Sequence, residues 1–188
     1  MAEPAPNSSD PGGTVWLTGL PSAGKTTIAR ELAGIVLARG SIRPYQLDGD
    51  DLREGLNADL GFGEADRAEN VRRLGEVALL LARLGNLSIV SAISPYTANR
   101  RAVRERHVAL GVRFVEVYVA TPLDVCEARD LKGLYLMARR GELASFTGIS
   151  APYEVPAAPE VSVANEGSPK EAALEVYSAL AGAGLFAE

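Results

Sequence analysis

Residues 19–26 read Gly-Leu-Pro-Ser-Ala-Gly-Lys-Thr and match the phosphate-binding loop pattern G-x-x-x-x-G-K-[ST] at every fixed position. Before the loop, residues 14–18 form a β-branched and aromatic run that predicts a buried strand. After it, apolar residues recur at helical spacing through Arg39. In a strand, loop and helix of this kind, backbone N–H groups and the helix N-terminus surround a phosphate chain. The stretch therefore predicts a site for a nucleoside triphosphate.

The loop residues are expected to share the work of holding the triphosphate. Lys25 is placed to bridge the β- and γ-phosphates, which makes it a candidate catalytic residue, and the Thr26 hydroxyl to ligate Mg²⁺. Mg²⁺ is accordingly the expected cofactor. The expected nucleotide-binding set is Gly19, Leu20, Ser22, Ala23, Gly24, Lys25, Thr26 and Thr27.

Composition excludes several classes of protein. A chain of 188 residues, 47% hydrophobic, can bury a full core and is most simply one domain. Its net charge of −5 argues against a general nucleic-acid binder, which needs a broad basic face. No apolar run approaches the ~18 residues that span a bilayer, so no membrane segment is expected. The single cysteine, Cys126, cannot form an internal disulfide, which favours a reducing cytoplasm.

Two expectations concern features outside the loop. The only histidine, His107, lies in a charged segment that predicts an exposed helix, and we expect no catalytic or metal role for it. Residues 1–13 contain Pro, Ser, Asn and Gly and lack the basic and apolar regions of a signal peptide. We therefore expect a disordered leader at 1–13, followed by a single domain at 14–188.

Strand and helix patterns alternate beyond the loop. The alternation predicts an α/β fold, a P-loop NTPase-like three-layer sandwich with a five-stranded parallel sheet. Between about residues 130 and 159 the periodicity weakens, and an irregular stretch of that length predicts a lid over the site. Strands are expected at residues 14–18, 41–47, 87–93, 112–119 and 161–163, and helices after the loop and at residues 66–84, 95–110, 123–129 and 169–181.

The second predicted strand ends in Asp48-Gly49-Asp50, at the sheet edge where open α/β proteins bind ligands. One carboxylate can accept hydrogen bonds from Mg²⁺-bound water while the other orients or deprotonates an acceptor hydroxyl. We expect Asp50 nearest the acceptor hydroxyl and Asp48 at the water shell of the metal; on spacing alone, a solvated turn is the alternative. The chain has neither the Asn-Lys-x-Asp segment of guanine-specific GTPases nor a run of four apolar residues that ends in the Asp-x-x-Gly of a switch region. Phosphoryl transfer to a small-molecule hydroxyl is the predicted reaction.

Six further motifs follow one another along the chain: Leu-Asp-Gly-Asp-Asp-Leu-Arg (47–53), Gly-Leu-Asn-Ala-Asp-Leu-Gly-Phe (55–62), Asp-Arg-Ala-Glu-Asn-Val-Arg-Arg (66–73), Ile-Ser-Pro-Tyr (93–96), Cys-Glu-Ala-Arg-Asp-Leu-Lys-Gly-Leu-Tyr (126–135) and Phe-Thr-Gly-Ile-Ser-Ala-Pro-Tyr-Glu (146–154). Over residues 14–165 the sequence resembles the adenylyl-sulfate kinase family. The resemblance implies a cytoplasmic P-loop kinase domain, expected as a homodimer. Its implied reaction transfers the ATP γ-phosphate to the 3′-hydroxyl of adenosine 5′-phosphosulfate (APS), giving PAPS for sulfate assimilation.

The resemblance also assigns residues to the two substrates. Arg53 and Arg67 match the arginines that bind the phosphosulfate. Phe62 and Phe146 match the two rings that sandwich the APS adenine, Phe146 arriving only when the lid closes. Arg129 matches the residue that covers the adenine of ATP. The full expected acceptor set is Asp50, Arg53, Phe62, Arg67, Asn70, Ile93, Ser94, Lys132 and Phe146.

The sequence departs from the family pattern at several positions. Ala92 stands where a Phe is common, Ala120 where Asp is usual, and Leu131 where Pro is usual. These changes affect the expected rate and affinity more than the reaction type. A kinase for another nucleotide or for a small alcohol is the alternative within the class; a nucleotide sensor without activity, or a partner of a sulfurylase, is the alternative outside it.

Overall fold

The computed structural model describes residues 12–40, 42–165 and 167–185. Within them no helix is long and apolar enough to cross a membrane. The strands are β1 (Gly13–Thr18), β2 (Pro44–Asp48), β3 (Leu87–Ser91), β4 (Arg113–Val119) and β5 (Val161–Val163). The helices are α1 (Lys25–Arg39), α2 (Gly49–Arg53), α3 (Glu64–Arg83), α4 (Thr97–Val108), α5 (Leu123–Ala128), α6 (Leu134–Arg139) and α7 (Pro169–Gly182).

The strands form one parallel sheet with the order β2-β3-β1-β4-β5. Strand β1, which leads into the phosphate loop, occupies the middle: Val15 lies opposite Ile89 of β3 on one side and opposite Val115 of β4 on the other. The predicted five-stranded parallel sheet is confirmed. Its central strand delivers the loop to the middle of the carboxyl edge.

Helices cover both faces of the sheet and give the predicted three layers. Val15 and Leu17 of β1 pack into a core that contains buried residues of α1 and α7. Trp16 points to the other face and packs with buried residues of α3 and α4. Successive side chains of a strand point to opposite faces, so a strand covered on both sides must be apolar throughout. The continuous apolar run in β1 therefore reflects its central position.

Two short helices, α2 and α6, were not expected from the sequence. Helix α2 begins directly at the end of β2, because the Asp48 carboxylate accepts a hydrogen bond of 2.9 Å from the backbone N–H of Asp50. Helix α6 lies inside the stretch predicted to be an irregular lid and begins after Gly133 in the left-handed conformation. Helices of five and six residues are too short to show a helical period.

The folded domain begins earlier than expected. Residues 1–11 of the predicted leader lie outside the described residues, as does Ser41 at the start of the second predicted strand. Gly12 and Gly13, assigned to the leader, belong to the fold instead. Gly13 is the first residue of β1, and the N–H of Gly12 donates to Ala82 O at 2.7 Å. A Cβ at Gly12 would lie 1.9 Å from the carbonyl oxygen of Asn86, so the close approach requires glycine.

The expected exposure of His107 is wrong. Its side chain is fully buried, with one ring nitrogen 3.0 Å from the Thr14 hydroxyl and the other 2.8 Å from Val103 O. Its ring also meets Phe114 edge-on at 5.1 Å. Burial lowers the pKa of His107, which favours the neutral ring. The imidazole is a satisfied core group that ties α4 to the sheet.

Candidate active site

A cavity of about 1010 Å³ opens at the carboxyl ends of β2 and β3, next to the phosphate loop. Open α/β sheets bind their ligands at this edge. One wall is the loop and the start of α1. Another consists of α2 and the first half of α3. Residues 130–132, 134 and 143–147, from the predicted lid, and Arg129 just before it form a further wall.

The phosphate loop requires glycine at Gly24, immediately before α1. Its φ of 97° lies in the left-handed region, and a Cβ there would lie 2.1 Å from the side-chain nitrogen of Asn165. That nitrogen donates to Ala23 O at 3.0 Å, so the segment after β5 holds the back of the loop. The opposite face of the loop is left for a ligand.

Lys25 reaches back over the loop that contains it. Its Nζ donates to Gly19 O at 3.0 Å and to Leu20 O at 2.7 Å. Burial lowers the pKa of Lys25 to about 8, and the nearby carboxylates of Asp48 and Asp50 oppose this shift. The ammonium group is thus buried against neutral carbonyl oxygens. A polyphosphate in the loop would supply the charged acceptor that these contacts lack.

Asp48 and Asp50 have different neighbours. The Thr26 hydroxyl donates to Asp48 Oδ2 at 2.6 Å, and the other oxygen of Asp48 caps α2. The side chain of Asp50 is 81% exposed, and its Oδ2 lies 3.8 Å from Nζ of Lys132 in the predicted lid. Asp48 therefore lies on the phosphate-loop side of the cavity, and Asp50 faces the lid.

The oxygen atoms at Thr26 and Asp48 fit a magnesium ion. Mg²⁺ prefers hard oxygen ligands and is usually held by one or two protein groups together with substrate phosphates and water. The described residues contain no cluster of three or more His, Cys, Asp or Glu side chains that could hold a metal by itself. The Thr26 hydroxyl and the Asp48 carboxylate, with oxygen atoms 2.6 Å apart, match the one or two protein ligands of such a site.

Two arginines give the other wall of the cavity a positive charge. Arg53 donates to two backbone carbonyls at residues 60–61. Arg67 donates to Phe62 O at 2.8 Å and to Ser145 O at 2.6 Å. Burial lowers the pKa of Arg67, and the neighbouring charge of Arg53 lowers it further. Because these carbonyl acceptors are neutral, the two guanidinium groups suit an anionic part of a substrate.

Phe62 and Phe146 occupy different environments at the cavity. Phe62 is 62% exposed, and the Arg53 guanidinium lies 4.5 Å from its ring centre. Phe146 is partly buried and packs edge-on against Tyr135 with ring centroids 4.9 Å apart. Phe146 already forms part of the cavity wall. Its arrival on lid closure stays a prediction, because this structure is a single conformation.

The hydroxyl of Ser94 is engaged in the fold. Ser94 lines the cavity, but its Oγ accepts from Trp16 Nε1 and donates to the Thr18 hydroxyl, both at 3.0 Å. The residue is 2% exposed and has a φ of 41°. These bonds hold the backbone of Ser94 in a left-handed conformation that residues other than glycine rarely adopt. The hydroxyl thus fixes the shape of the cavity wall.

Arg100 was missed at the sequence level and holds this region together. Its guanidinium is almost fully buried and donates to Ser94 O at 2.7 Å, to Glu154 O at 2.8 Å and to Glu116 Oε1 at 2.7 Å. These bonds join the loop after β3, the end of the predicted lid and β4. An arginine-rich stretch was visible at residues 100–106, but its pattern does not say which arginine is buried.

The cavity brings together most of the residues expected at the site. Three residues of the predicted nucleotide set, Gly19, Leu20 and Ala23, do not line it: Ala23 is fully buried in the core, and Leu20 packs on a neighbouring surface beside Gly148. The expected residues on the cavity wall are Ser22, Gly24, Lys25, Thr26, Thr27, Asp48, Asp50, Arg53, Phe62, Arg67, Asn70, Ile93, Ser94, Arg129, Lys132 and Phe146.

The chain is similar to known proteins over most of its length. The family model described as Adenylylsulphate kinase matches residues 11–164. The chain belongs to the adenylylsulphate kinase family. The match spans the phosphate loop, all five strands and the predicted lid.

Individual relatives agree with this assignment. The adenylyl-sulfate kinase of Penicillium chrysogenum is 50% identical over 168 residues, covering 86% of this chain and 80% of the relative. The structure of the Mycobacterium tuberculosis APS kinase in complex with AMPPNP and APS superimposes with a TM-score of 0.88 at 49% identity, covering 92% of this chain and 99% of that one. A hexameric APS kinase from Thiobacillus denitrificans gives a TM-score of 0.73 at 32% identity, covering 97% of this chain and 31% of that one.

Proposed function

We propose that this chain transfers the γ-phosphate of ATP to the 3′-hydroxyl of APS, giving PAPS and ADP for sulfate assimilation. One observation carries the proposal: the phosphate loop and the acceptor residues Arg53, Arg67, Phe62 and Phe146 line a single cavity. Membership of the adenylylsulphate kinase family and the ternary complex of the Mycobacterium tuberculosis relative support the same reaction.

ATP occupies the phosphate-loop side of the cavity in this proposal. Lys25 exchanges its two carbonyl acceptors for the β- and γ-phosphate oxygens, because a charged acceptor makes the stronger hydrogen bond. There it stabilises charge on the transferred group. Arg129, on the same cavity, covers the adenine.

APS occupies the opposite wall. Arg53 and Arg67 offer forked donors to the phosphosulfate, and Phe62 and Phe146 offer two faces on which a purine can stack. Asn70, the backbone at Ile93 and Ser94, and Lys132 complete the acceptor set. A neutral alcohol would leave the two guanidinium groups unused. The site therefore favours an anionic purine nucleotide.

The two carboxylates have different roles in the transfer. Asp50 orients the acceptor hydroxyl and takes its proton, since its carboxylate faces the open cavity. Thr26 and Asp48 would hold Mg²⁺, and the ion, when bound, would neutralise charge at the phosphates. Direct in-line transfer needs no covalent intermediate on Ser94.

A coupled ADP-release assay tests the reaction. Purified protein, ATP and Mg²⁺ are combined with APS or with adenosine 5′-monophosphate as acceptor. We expect turnover with APS and at most slow turnover with the monophosphate, which lacks the sulfuryl group. Equal rates with both acceptors would indicate a kinase for another nucleotide. ADP release with neither acceptor, despite ATP binding, would support a nucleotide sensor.

The assembly and location of the protein belong to the same proposal. A homodimer is supported by exposed apolar side chains near the C-terminal ends of the packed helices α3 and α4, among them Leu80, Leu84 and Val108. The hexameric Thiobacillus denitrificans relative makes a larger assembly the alternative. Light scattering distinguishes the masses of the two assemblies.

A cytoplasmic location is consistent with the free, buried Cys126 and is tested by cell fractionation. Residues 130–159 are proposed to act as the lid of a single kinase domain.

A further inference from the structure

Tyr135 contacts elements from both sides of the cavity without lining the cavity itself. Its hydroxyl donates to Pro21 O of the phosphate loop at 2.9 Å. Its ring meets Phe146 of the acceptor wall edge-on, with centroids 4.9 Å apart and planes at 77°. The side chain is 2% exposed and is packed within the main core cluster. One rigid ring thus connects the nucleotide loop to an aromatic wall of the acceptor site.

Hydrogen bonds also join both ends of this connection to neighbouring segments. At the Tyr135 end, the backbone N–H donates to Asp130 Oδ2 at 2.7 Å, which fixes the start of α6. At the Phe146 end, the preceding carbonyl of Ser145 accepts from Arg67 at 2.6 Å. Burial raises the pKa of Tyr135, so the phenol stays protonated and remains a donor to the loop. A movement of the Pro21 carbonyl would therefore move the Tyr135 ring, which contacts Phe146.

We propose that Tyr135 is a positioning residue that couples nucleotide binding in the phosphate loop to acceptor binding at Phe146. A nucleotide that orders the loop fixes the carbonyl of Pro21, and through it the ring of Tyr135. Phe146 is then held where a purine can stack, so the acceptor binds without the cost of ordering that wall. Linkage requires the effect to be reciprocal. The inference rests on the proposed two-substrate function.

The Tyr135→Phe variant isolates the coupling. It removes only the hydroxyl that reaches the loop and leaves the ring against Phe146. The dissociation constant of APS is measured by calorimetry with and without a non-hydrolysable ATP analogue, and the ratio of the two values reports the coupling. We expect tighter APS binding with the analogue in the unmodified protein. In the variant the ratio should fall about fivefold, the usual effect of one lost hydrogen bond.

Two further variants complete the design. Tyr45→Phe removes a phenol hydroxyl from β2, at a residue that does not line the cavity, and should keep the original ratio. Phe146→Leu removes the ring that Tyr135 contacts and should also lower the ratio, although the Tyr135 hydroxyl still contacts the loop. Thermal melts confirm that each variant is folded.

Three results would overturn the inference: an unchanged ratio in Tyr135→Phe, a ratio of one in the unmodified protein, or APS binding weakened equally with and without the analogue. Turnover of APS by the unmodified protein separates this inference from the proposed function. If turnover is normal and the ratio does not depend on Tyr135, only the coupling is refuted. If the unmodified protein neither binds nor phosphorylates APS, both are refuted.

Discussion

The two carboxylates beside Gly49 have the same chemistry in the sequence but different surroundings in the fold. Asp48 is engaged by the Thr26 hydroxyl on one oxygen and by the first turn of α2 on the other. Asp50 is exposed to the cavity and has the lid residue Lys132 3.8 Å away. A carboxylate with its oxygens already bonded is less able to turn towards an acceptor hydroxyl. Asp50 is therefore the better candidate for the base.

The Asp50→Asn variant tests this division at the scale of a single residue. An amide cannot accept the proton of the acceptor hydroxyl, so turnover should fall by about 100-fold or more. ATP binding should stay nearly unchanged, because the substitution leaves Lys25, Thr26 and Asp48 in place. The measurements are kcat from the ADP-release assay and the dissociation constant of ATP by calorimetry.

Asp51→Asn is the matched control, since Asp51 is the exposed next residue of α2 and does not line the cavity. Its turnover should equal that of the unmodified protein. Normal turnover in Asp50→Asn would refute the assignment of Asp50 as the base and would point to Asp48.

At the scale of the elements, α3 and α4 pack closely at one glycine. A Cβ at Gly75 of α3 would lie 2.8 and 2.9 Å from the two terminal methyl groups of Val103 in α4. Real Cβ atoms do not approach other carbon atoms this closely, so a larger side chain would force the helices apart. Helix α3 carries Arg67 and Asn70 of the acceptor wall, so its position also sets the width of the cavity.

Gly75→Ala should therefore destabilise the protein although alanine favours helices. We expect the free energy of unfolding to fall by about 1–3 kcal/mol, the usual cost of overpacking. Gly34→Ala in α1 is the matched control, because a Cβ there meets nothing within 4 Å. That change should raise the free energy of unfolding by up to about 1 kcal/mol through helix propensity alone. Urea unfolding measures both, and stabilisation by both substitutions would contradict the close packing.

On the scale of the whole molecule, Arg100 joins parts of the chain that are far apart in sequence. Its guanidinium connects the loop after β3 to β4 and to the end of the predicted lid at Glu154. The Glu116 carboxylate that it pairs with is nearly buried, with a side chain 11% exposed. A buried ion pair that loses one partner leaves an uncompensated charge behind.

Arg100→Met should lower the free energy of unfolding by about 3 kcal/mol or more, because Glu116 keeps only the longer contact of 3.3 Å to Arg104. Arg101→Met is the control on the next residue. Arg101 is 71% exposed and lies 3.4 Å from an equally exposed Glu105, so its loss should cost at most about 1 kcal/mol. Urea unfolding compares the two variants. Equal losses would show that the buried pair contributes no more than the surface one.

Local patterns were sufficient for the fold class and for most of the candidate site. The motif at residues 19–26 predicted the phosphate loop, and the β-branched and aromatic run before it predicted a buried strand. Arg53 and Phe62, which line the cavity, were predicted as acceptor residues from motifs that resemble the adenylyl-sulfate kinase family. The short helices α2 and α6 were missed, because hydrogen bonds from N–H groups in their first turns to the side chains of Asp48 and Asp130 decide them rather than a hydrophobic period.

By itself, then, the sequence determined the parallel α/β sheet, the phosphate loop and the types of side chain at the site, since each of these depends on neighbours within a few residues. Only the tertiary structure decided which polar side chains are buried and which groups they hydrogen-bond. The His107 ring pairs with the Thr14 hydroxyl, and Arg67 donates to the carbonyl of Ser145 in the predicted lid at 2.6 Å. Such contacts join residues about 80 or more positions apart. No local periodicity predicts them, because they form only when the fold brings distant segments of the chain together.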